Sequence, residues 1–419
     1  MPETVTHART LPLRSPTFRT LLASEFVSLV GDRLVMVALI ALVYDLTRSA
    51  TAVALLMLVK AVPAILLGGV AGTVVDRTSR KWLMVGANSL QGLIVLAIPG
   101  SQHLAVVVTA YLLMSVVNQF FVPARAATIP DLVPGPALMG ANALFGMAFV
   151  GAIAIGPALG GWVADTWGLD AAFYVDSATF LVPAIAVAAL RLPARTPPPP
   201  GMPRRRSIVG DTREGMRFAA HDQPTRIALT ASTGAYLVIA VMSVLGVVVA
   251  QDTLGLSVSG YGLMMSSMGA GMLVAALALG RRRTGSRPAE RTTDHTTDHT
   301  TDRSRLGLVG LLLAGIGLGV LPWLQTLIPA MACSAVIGAG VLAVQISSQT
   351  TLQSAPAHLR GRVLSLGQSV TGIAQVLAIA LTAALTAHLG ASWVLCGTGI
   401  LTAATAFALL VPRTESHLA

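Results

Sequence analysis

Long apolar stretches separated by short polar segments run along nearly the whole chain of 419 residues. A helix needs about 20 mainly apolar residues to cross the hydrocarbon core of a bilayer, and these stretches are close to that length. The pattern predicts an all-α integral membrane protein with twelve transmembrane helices. The predicted spans are 20–46, 50–74, 82–100, 104–123, 140–164, 171–191, 226–250, 259–280, 306–324, 327–350, 363–388 and 391–412.

Composition and charge agree with a membrane protein of defined orientation. Hydrophobic residues make up 54% of the sequence and charged residues 11%, which is too apolar for a soluble surface. With both termini in the cytoplasm, every Lys and Arg except Arg33, Arg48 and Lys60 falls in a cytoplasmic segment, as the positive-inside rule requires. We therefore expect a multi-pass protein of the cell membrane, whose net charge of +10 meets anionic lipid headgroups and not nucleic acid. The long first span, which contains acidic residues, favours a retained helix over a cleaved signal peptide.

The short segment between the second and third spans is glycine-rich and then strongly basic. It resembles the signature that major facilitator superfamily (MFS) transporters carry at this place, with Ser79 where the family pattern has glycine. The resemblance implies the MFS fold, two bundles of six helices, and a cytoplasmic gate in which Asp76 latches onto the start of helix 11. The residues that carry this resemblance and are expected to act in gating are Gly72, Asp76, Arg77, Arg80 and Lys81.

A second resemblance lies in the fifth span. Gly156, Pro157, Gly160 and Gly161 are similar to the helix-5 signature of the antiporter branch of that family, although Ala152 stands where the preceding family glycine would fall. Proline removes one backbone hydrogen bond and glycine permits close helix approach, so this segment is expected to bend and slide during gating. Ordinary small-residue packing is the alternative.

The chain divides into two related halves. The sequence 126–130 before helix 5 has a counterpart at 352–356 before helix 11, which suggests an internal repeat. We expect an N-terminal bundle at 1–195, a cytoplasmic linker with an amphipathic helix at 196–224, and a C-terminal bundle at 225–419. A polar, repetitive segment near 281–305 is expected to be a disordered loop, and its Asp-His pairs are expected to bind no metal.

Charged side chains inside the first two spans are the main candidates for proton coupling. Glu25, Ser28 and Asp32 recur at spacings of three and four residues and so share one helical face. Lys60 lies at a similar depth in the second span. Ionisable residues inside a membrane line a cavity or find a partner, because exposure to lipid is costly. Asp32 is therefore either a proton-exchanging carboxylate or one half of a fixed ion pair with Lys60 or Arg33, while Glu25 is expected to reach cytoplasmic water.

Candidates for the substrate cavity come from the helices that line it in the resembled family. The polar ones are Asn118, Gln119, Gln345 and Gln349, for which interhelical hydrogen bonding is the alternative role. The apolar ones are Phe145, Phe149 and Tyr236, for which a packed core is the alternative.

The sequence lacks the features that would indicate other chemistry. No phosphate-binding G-x-x-x-x-G-K-[ST] motif occurs, and no nucleophile and base stand in a recognisable order, so we expect neither ATP-driven transport nor an enzyme. No metal or cofactor is expected. The first span is similar to the macrolide-efflux and enterobactin-exporter branch of the MFS at Ser28-Leu-Val-Gly-Asp32 and Val43-Tyr-Asp-Leu-Thr47. The hypothesis is proton-coupled efflux of a drug or amphipathic metabolite by a monomer, with proton-coupled nutrient uptake or a non-transporting membrane sensor as alternatives.

Overall fold

The computed structural model describes residues 12–191, 208–285, 296–356 and 359–411. Regular secondary structure in these ranges is entirely helical. The α-helices are α1 Pro16–Thr47, α2 Ala50–Arg77, α3 Arg80–Val95, α4 Leu104–Leu132, α5 Leu138–Trp167, α6 Leu169–Ala189, α7 Ile208–His221, α8 Gln223–Val248, α9 Val258–Gly285, α10 Thr296–Val320, α11 Leu327–Gln353, α12 Arg360–Leu389 and α13 Ala391–Leu410.

A helix overlies each predicted span, and ten helices of the described ranges are long and apolar enough to cross a bilayer. The predicted spans at α2 and α3 do not meet this criterion. Helix α3 has only 16 residues, and the apolar helix recognised in α2 is Ala50–Ala64. The count of twelve spans therefore stays a prediction. The amphipathic α7 lies in the segment predicted as a linker.

Several helices extend beyond their predicted ends. Helix α4 extends to Leu132, although Pro123 and Pro130 lie inside it. Neighbouring helices can satisfy the backbone groups that a proline frees, so a proline need not end a membrane helix. The predicted end of this span at residue 123 is therefore too early, and Arg125 lies within α4. Helices α9 and α10 likewise extend into the range expected to be a disordered loop, whose residues 286–295 lie outside the described ranges.

The chain forms two compact units. The first comprises Met1–Arg48 and Leu58–Pro198, and the second comprises Ser49–Met57 and Pro199–Ala419. The division falls in the predicted linker, but the first residues of α2 belong with the second unit. The predicted domain boundaries at 195 and 224 stay predictions.

The surfaces of both units are suited to lipid. Large apolar side chains such as Leu66, Ile185 and Leu93 are about two-thirds exposed, which a water-soluble surface rarely tolerates over wide areas. All five tryptophans are at least half exposed. Trp162 packs edge-on against Trp167 at 5.1 Å between ring centroids, and Trp323 packs against Trp393 at 6.0 Å. Exposed indoles near helix ends are typical of the membrane–water interface.

Helix α1 is held between α5 and α6 in the first unit by glycines. A β-carbon placed on Gly160 of α5 would collide with the carbonyl of Leu34 on α1, and one placed on Gly156 would collide with Arg33 and the carbonyl of Val30. One placed on Gly31 of α1 would collide with Thr179 of α6. Small residues let helices approach this closely in membranes, where lipid tails give no hydrophobic drive for association. The same device recurs in the second unit, where Gly271 and Gly338 join α9 to α11.

A buried ion pair joins α1 to α4. Glu25 is only 2% exposed and accepts a hydrogen bond from the guanidinium of Arg125. The same guanidinium lies 5.6 Å from the centroid of the Phe145 ring, and Phe18 packs edge-on against Phe145 at 5.8 Å. The pair thus lies beside an aromatic cluster. The expectation that Glu25 reaches water is wrong, because the extension of α4 brings a cation to it.

The glycine contact between α5 and α1 predicts a position-specific cost. Gly160→Ala should lower the free energy of unfolding by about 1–3 kcal/mol, the usual cost of overpacking, because the added methyl meets the backbone of Leu34. Thermal unfolding in detergent measures this. Gly146→Ala on the same helix is the matched control, since nothing lies within 4 Å of its added β-carbon. Equal melting temperatures for the two variants would contradict the close approach.

The Glu25–Arg125 pair predicts non-additive stability. Glu25→Gln should lower the free energy of unfolding by about 3 kcal/mol, because it leaves the partly buried guanidinium of Arg125 without its counter-charge. The double variant Glu25→Gln, Arg125→Gln should melt at a higher temperature than Glu25→Gln alone, since neither charge remains. A double variant that loses the sum of the two single losses would show that the groups do not act as a pair.

Candidate transport site

A small polar cavity lies inside the first unit. Its volume is about 90 Å³, enough for a few water molecules. Helices α1, α2, α3 and α4 each contribute polar side chains to it. These are Asp32, Arg33, Lys60, Gln91, Tyr111, Ser115 and Asn118.

The Asp32 carboxylate is accessible in this cavity and is not held by a cation. Asp32 and Lys60 both have exposed side chains, and Arg33 and Lys60 lie close enough to Asp32 for electrostatic interaction. Among the described ion pairs, none joins Asp32 to either cation within 4 Å. The guanidinium of Arg33 instead lies 4.8 Å from the ring centroid of Phe149 on α5. The cavity thus holds one acid and two bases without a closed pair.

Three of the predicted residues meet in this cavity, namely Asp32, Lys60 and Asn118. Glu25 does not line it, because the carboxylate is engaged by Arg125. Phe145, expected as part of a cavity wall, is buried in a hydrophobic cluster with Phe18 and Phe121. Its ring lies beside the Arg125 guanidinium of the Glu25–Arg125 pair. This contact explains why Phe145 does not line the cavity.

The remaining cavity candidates are dispersed. Gln119 donates a hydrogen bond to the carbonyl of Ser115 at 3.3 Å. This bond lies within its own helix, whereas the alternative interpretation expected a bond between helices. Phe149 is partly exposed and faces Arg33. The other three lie in the second unit, where Tyr236 on α8 and Gln345 on α11 are half-buried and Gln349 on α11 is exposed.

Sequence reasoning missed several cavity residues. Tyr111 and Ser115 precede the predicted Asn118 on α4 at spacings of four and three residues, and this polar stripe in an apolar span was a usable signal. The Tyr111 hydroxyl lies 3.6 Å from the sulfur of Met36 on α1. Gln91 had no such signal, because a single amide in a short span looks like any packing residue.

The basic residues predicted to act in gating make contacts within the first unit. Arg80 donates to the carbonyl of Ala127 at 2.6 Å and to the carboxylate of Asp131 at 2.7 Å, both on α4. Lys81 donates to the carbonyl of Leu190 at 2.8 Å, at the end of α6. Cations at the start of a helix are disfavoured by its dipole, and these bonds to the carboxyl ends of two other helices offset that cost. Arg80 and Lys81 thus fasten α3 to α4 and α6.

The other predicted gating residues are located only in part. Gly72 and Asp76 lie on α2, but their side-chain surroundings fall outside the described part of the chain. Arg77 is exposed at the end of α2. Gly156, Pro157, Gly160 and Gly161 are buried within the unbroken helix α5, where Gly156 and Gly160 contact α1.

Three curated bacterial proteins are similar to parts of the chain. An uncharacterised MFS-type transporter, YfiS of Bacillus subtilis, is 30% identical over 183 residues, which cover 41% of this chain and 43% of that protein. Macrolide efflux protein A of Streptococcus pyogenes is 26% identical over 185 residues, 42% of this chain and 45% of that protein. The lysophospholipid transporter LplT of Yersinia pestis is 28% identical over 246 residues, 57% of this chain and 58% of that protein. The chain spans about half the length of the curated relatives it matches.

A solved structure shows the same fold over nearly the whole chain. A bacterial homologue of the human lysosomal transporter Spinster, in an inward-facing and unoccupied conformation, matches with a TM-score of 0.69 at 13% sequence identity. The match covers 95% of this chain and 97% of that one.

A comparison with a protein-family model covers most of the sequence. It agrees with the all-helical fold, the apolar spans and the polar cavity described above. The family model described as Major Facilitator Superfamily matches residues 21–355. The chain is therefore a multi-pass membrane protein that belongs to the major facilitator superfamily of transporters.

Proposed function

We propose that this protein exports a drug or an amphipathic small metabolite across the cell membrane in exchange for protons, by alternating access. The observation that carries the proposal is an accessible carboxylate, Asp32, that shares a polar cavity with Lys60 and Arg33 but forms no closed pair with either among the described contacts. An ion pair stabilises the ionised form of a carboxylate and so opposes the binding of a proton. One that is free in a cavity can bind a proton or a substrate.

Asp32 would couple proton entry to substrate release. In its ionised form it offsets part of the positive charge of Lys60 and Arg33, and in its protonated form it leaves that charge uncompensated. A substrate that needs the ionised carboxylate is then expelled when the proton binds. Glu25 would contribute only when its pair with Arg125 opens, and Lys60 would set the charge of the cavity.

Substrate and direction are argued from the relatives. The names of macrolide efflux protein A and the lysophospholipid transporter LplT refer to amphipathic molecules. Rings and amides in this chain would contact such a substrate, and the residues that supply them are Phe149, Tyr236, Asn118, Gln119, Gln345 and Gln349. The glycine and proline pattern of α5 favours export. Uptake of a nutrient and a sensor that does not transport are the alternatives.

Gating would use the first unit as a rigid body. Arg80 and Lys81 fasten three of its helices together, so the end of this bundle can move as one piece. Gly72, Asp76 and Arg77 would form the latch itself. Gly156, Pro157, Gly160 and Gly161 would provide the surface along which α5 shifts against α1.

Neutralising the cavity carboxylate tests the proton coupling. Asp32→Asn should abolish accumulation of a radiolabelled macrolide in everted membrane vesicles that carry a proton gradient, because the amide cannot take up a proton. Asp45→Asn is the matched control, since Asp45 is on the same helix but pairs with Arg48 at 3.3 Å near its end. Undiminished accumulation in Asp32→Asn would remove this residue from the mechanism.

The same vesicles decide the direction of transport. Export from the cell appears as accumulation inside everted vesicles, whereas proton-coupled uptake appears as accumulation in right-side-out vesicles. A sensor gives neither. Release of the label by a protonophore distinguishes gradient-driven accumulation from adsorption to lipid.

The Arg80 contacts predict a joint loss of stability and transport. Arg80→Ala should lower the free energy of unfolding by about 1–3 kcal/mol, because Asp131 and a backbone carbonyl lose a charged donor. The transport rate should fall with it if α3 and α4 must move together. Arg19→Ala, an exposed cation at the start of α1, is the control for loss of positive charge alone. Full transport in a destabilised Arg80→Ala variant would separate the fastening from gating.

A further inference from the structure

A second carboxyl group lies buried behind α1, on a helix that the proposed mechanism does not use. Asp176 of α6 is 0% exposed, and one turn to either side Phe173 and Phe180 are buried as well. Its Oδ2 has no hydrogen-bond partner among the described residues. Its Oδ1 lies 3.4 Å from the hydroxyl of Thr179, which also donates to the Asp176 backbone carbonyl at 2.8 Å. An ionised carboxylate in such a site would be poorly stabilised.

The Asp176 carboxyl touches α1 next to the cavity carboxylate. A β-carbon on Gly31 would collide with the Thr179 hydroxyl and lie 2.8 Å from the Asp176 Oδ1, so glycine at this position lets both side chains of α6 approach α1. Gly31 directly precedes Asp32 in the chain, and Asp32 and Asp176 are close enough to interact electrostatically. Asp32 thus lines the cavity, whereas Asp176 lies at the contact between α1 and α6, next to the residue that precedes Asp32.

The charged groups around Asp176 are few. Helix α3 has no titratable side chain after Lys81, and α5 has only Asp165, close to its end. On α1 the nearest ionisable groups are Asp32 and Arg33, and the guanidinium of Arg33 lies against Phe149 on α5. On α6 itself, Asp170 and Tyr174 are exposed. Among the described ion pairs, none joins a cation to Asp176.

We propose that Asp176 is a second protonatable site, which carries a proton in this conformation and whose ionisation is linked to that of Asp32 across Gly31. Burial without a cation favours the neutral acid, and a negative charge on Asp32 favours it further. Movement of α1 against α6 would change both conditions together. The part of this pair in transport rests on the function proposed above, but the protonation of Asp176 does not.

Infrared spectroscopy of the purified full-length protein in lipid reads this proton directly. The wild type at neutral pH should show a carbonyl stretching band of a protonated carboxylic acid that is lost in Asp176→Asn. Asp170→Asn, an exposed acid on the same helix, should keep the band. An unchanged band in Asp176→Asn would overturn the assignment of a stored proton.

The link to Asp32 has its own measurement, made with Asp176 intact. In Asp32→Asn the band should disappear at a lower pH than in the wild type, because the neighbouring negative charge is gone. Titration of the band at the same pH in both proteins would show that Asp176 is merely a structural acid. No substrate is present, so a transport-competent Asp32→Asn variant would overturn the proposed function and leave this result standing.

Discussion

The close contact of α1 with α5 and α6 is the constraint on which the first unit depends. Helices in a bilayer gain nothing from hiding apolar side chains from lipid, so they associate where small residues allow backbone contact. Gly156 and Gly160 admit α1 from one side and Gly31 admits α6 from the other. With two faces of α1 occupied by these neighbours, its polar residues are directed to the cavity and to α4.

This constraint explains why two acids on the same helix differ in their surroundings. Glu25 pairs with Arg125, whose guanidinium lies beside the Phe145 ring. Asp32, two turns further on, meets a cavity in which the cations stay apart from it. Buried pairs are costly to open, whereas a carboxylate in a wet cavity can change its protonation state with little rearrangement. The first acid therefore fastens α1 to α4, whereas the second lines a polar cavity.

The basic loop between α2 and α3 combines orientation with fastening. Its cations mark one side of the membrane in the sequence, as the positive-inside rule describes. In the fold, Arg80 and Lys81 also bind the carboxyl ends of α4 and α6. A conformational change that rotates the first unit can therefore carry α3, α4 and α6 together, provided these bonds persist.

The sequence by itself determined the all-helical membrane fold, the family and the presence of Asp32 and Lys60 in one polar region. Long apolar spans and charge placement are local properties, and they survive in any packing. Only the tertiary structure decided that Glu25 pairs with Arg125, that Phe145 belongs to the core, and that Gln91 and Tyr111 join the cavity. Those outcomes depend on which helix faces which, and on a proline-containing helix that continued beyond its expected end. Asp176 shows the reason most plainly, because nothing in its own helix reveals that a glycine on α1 leaves room for its carboxyl group.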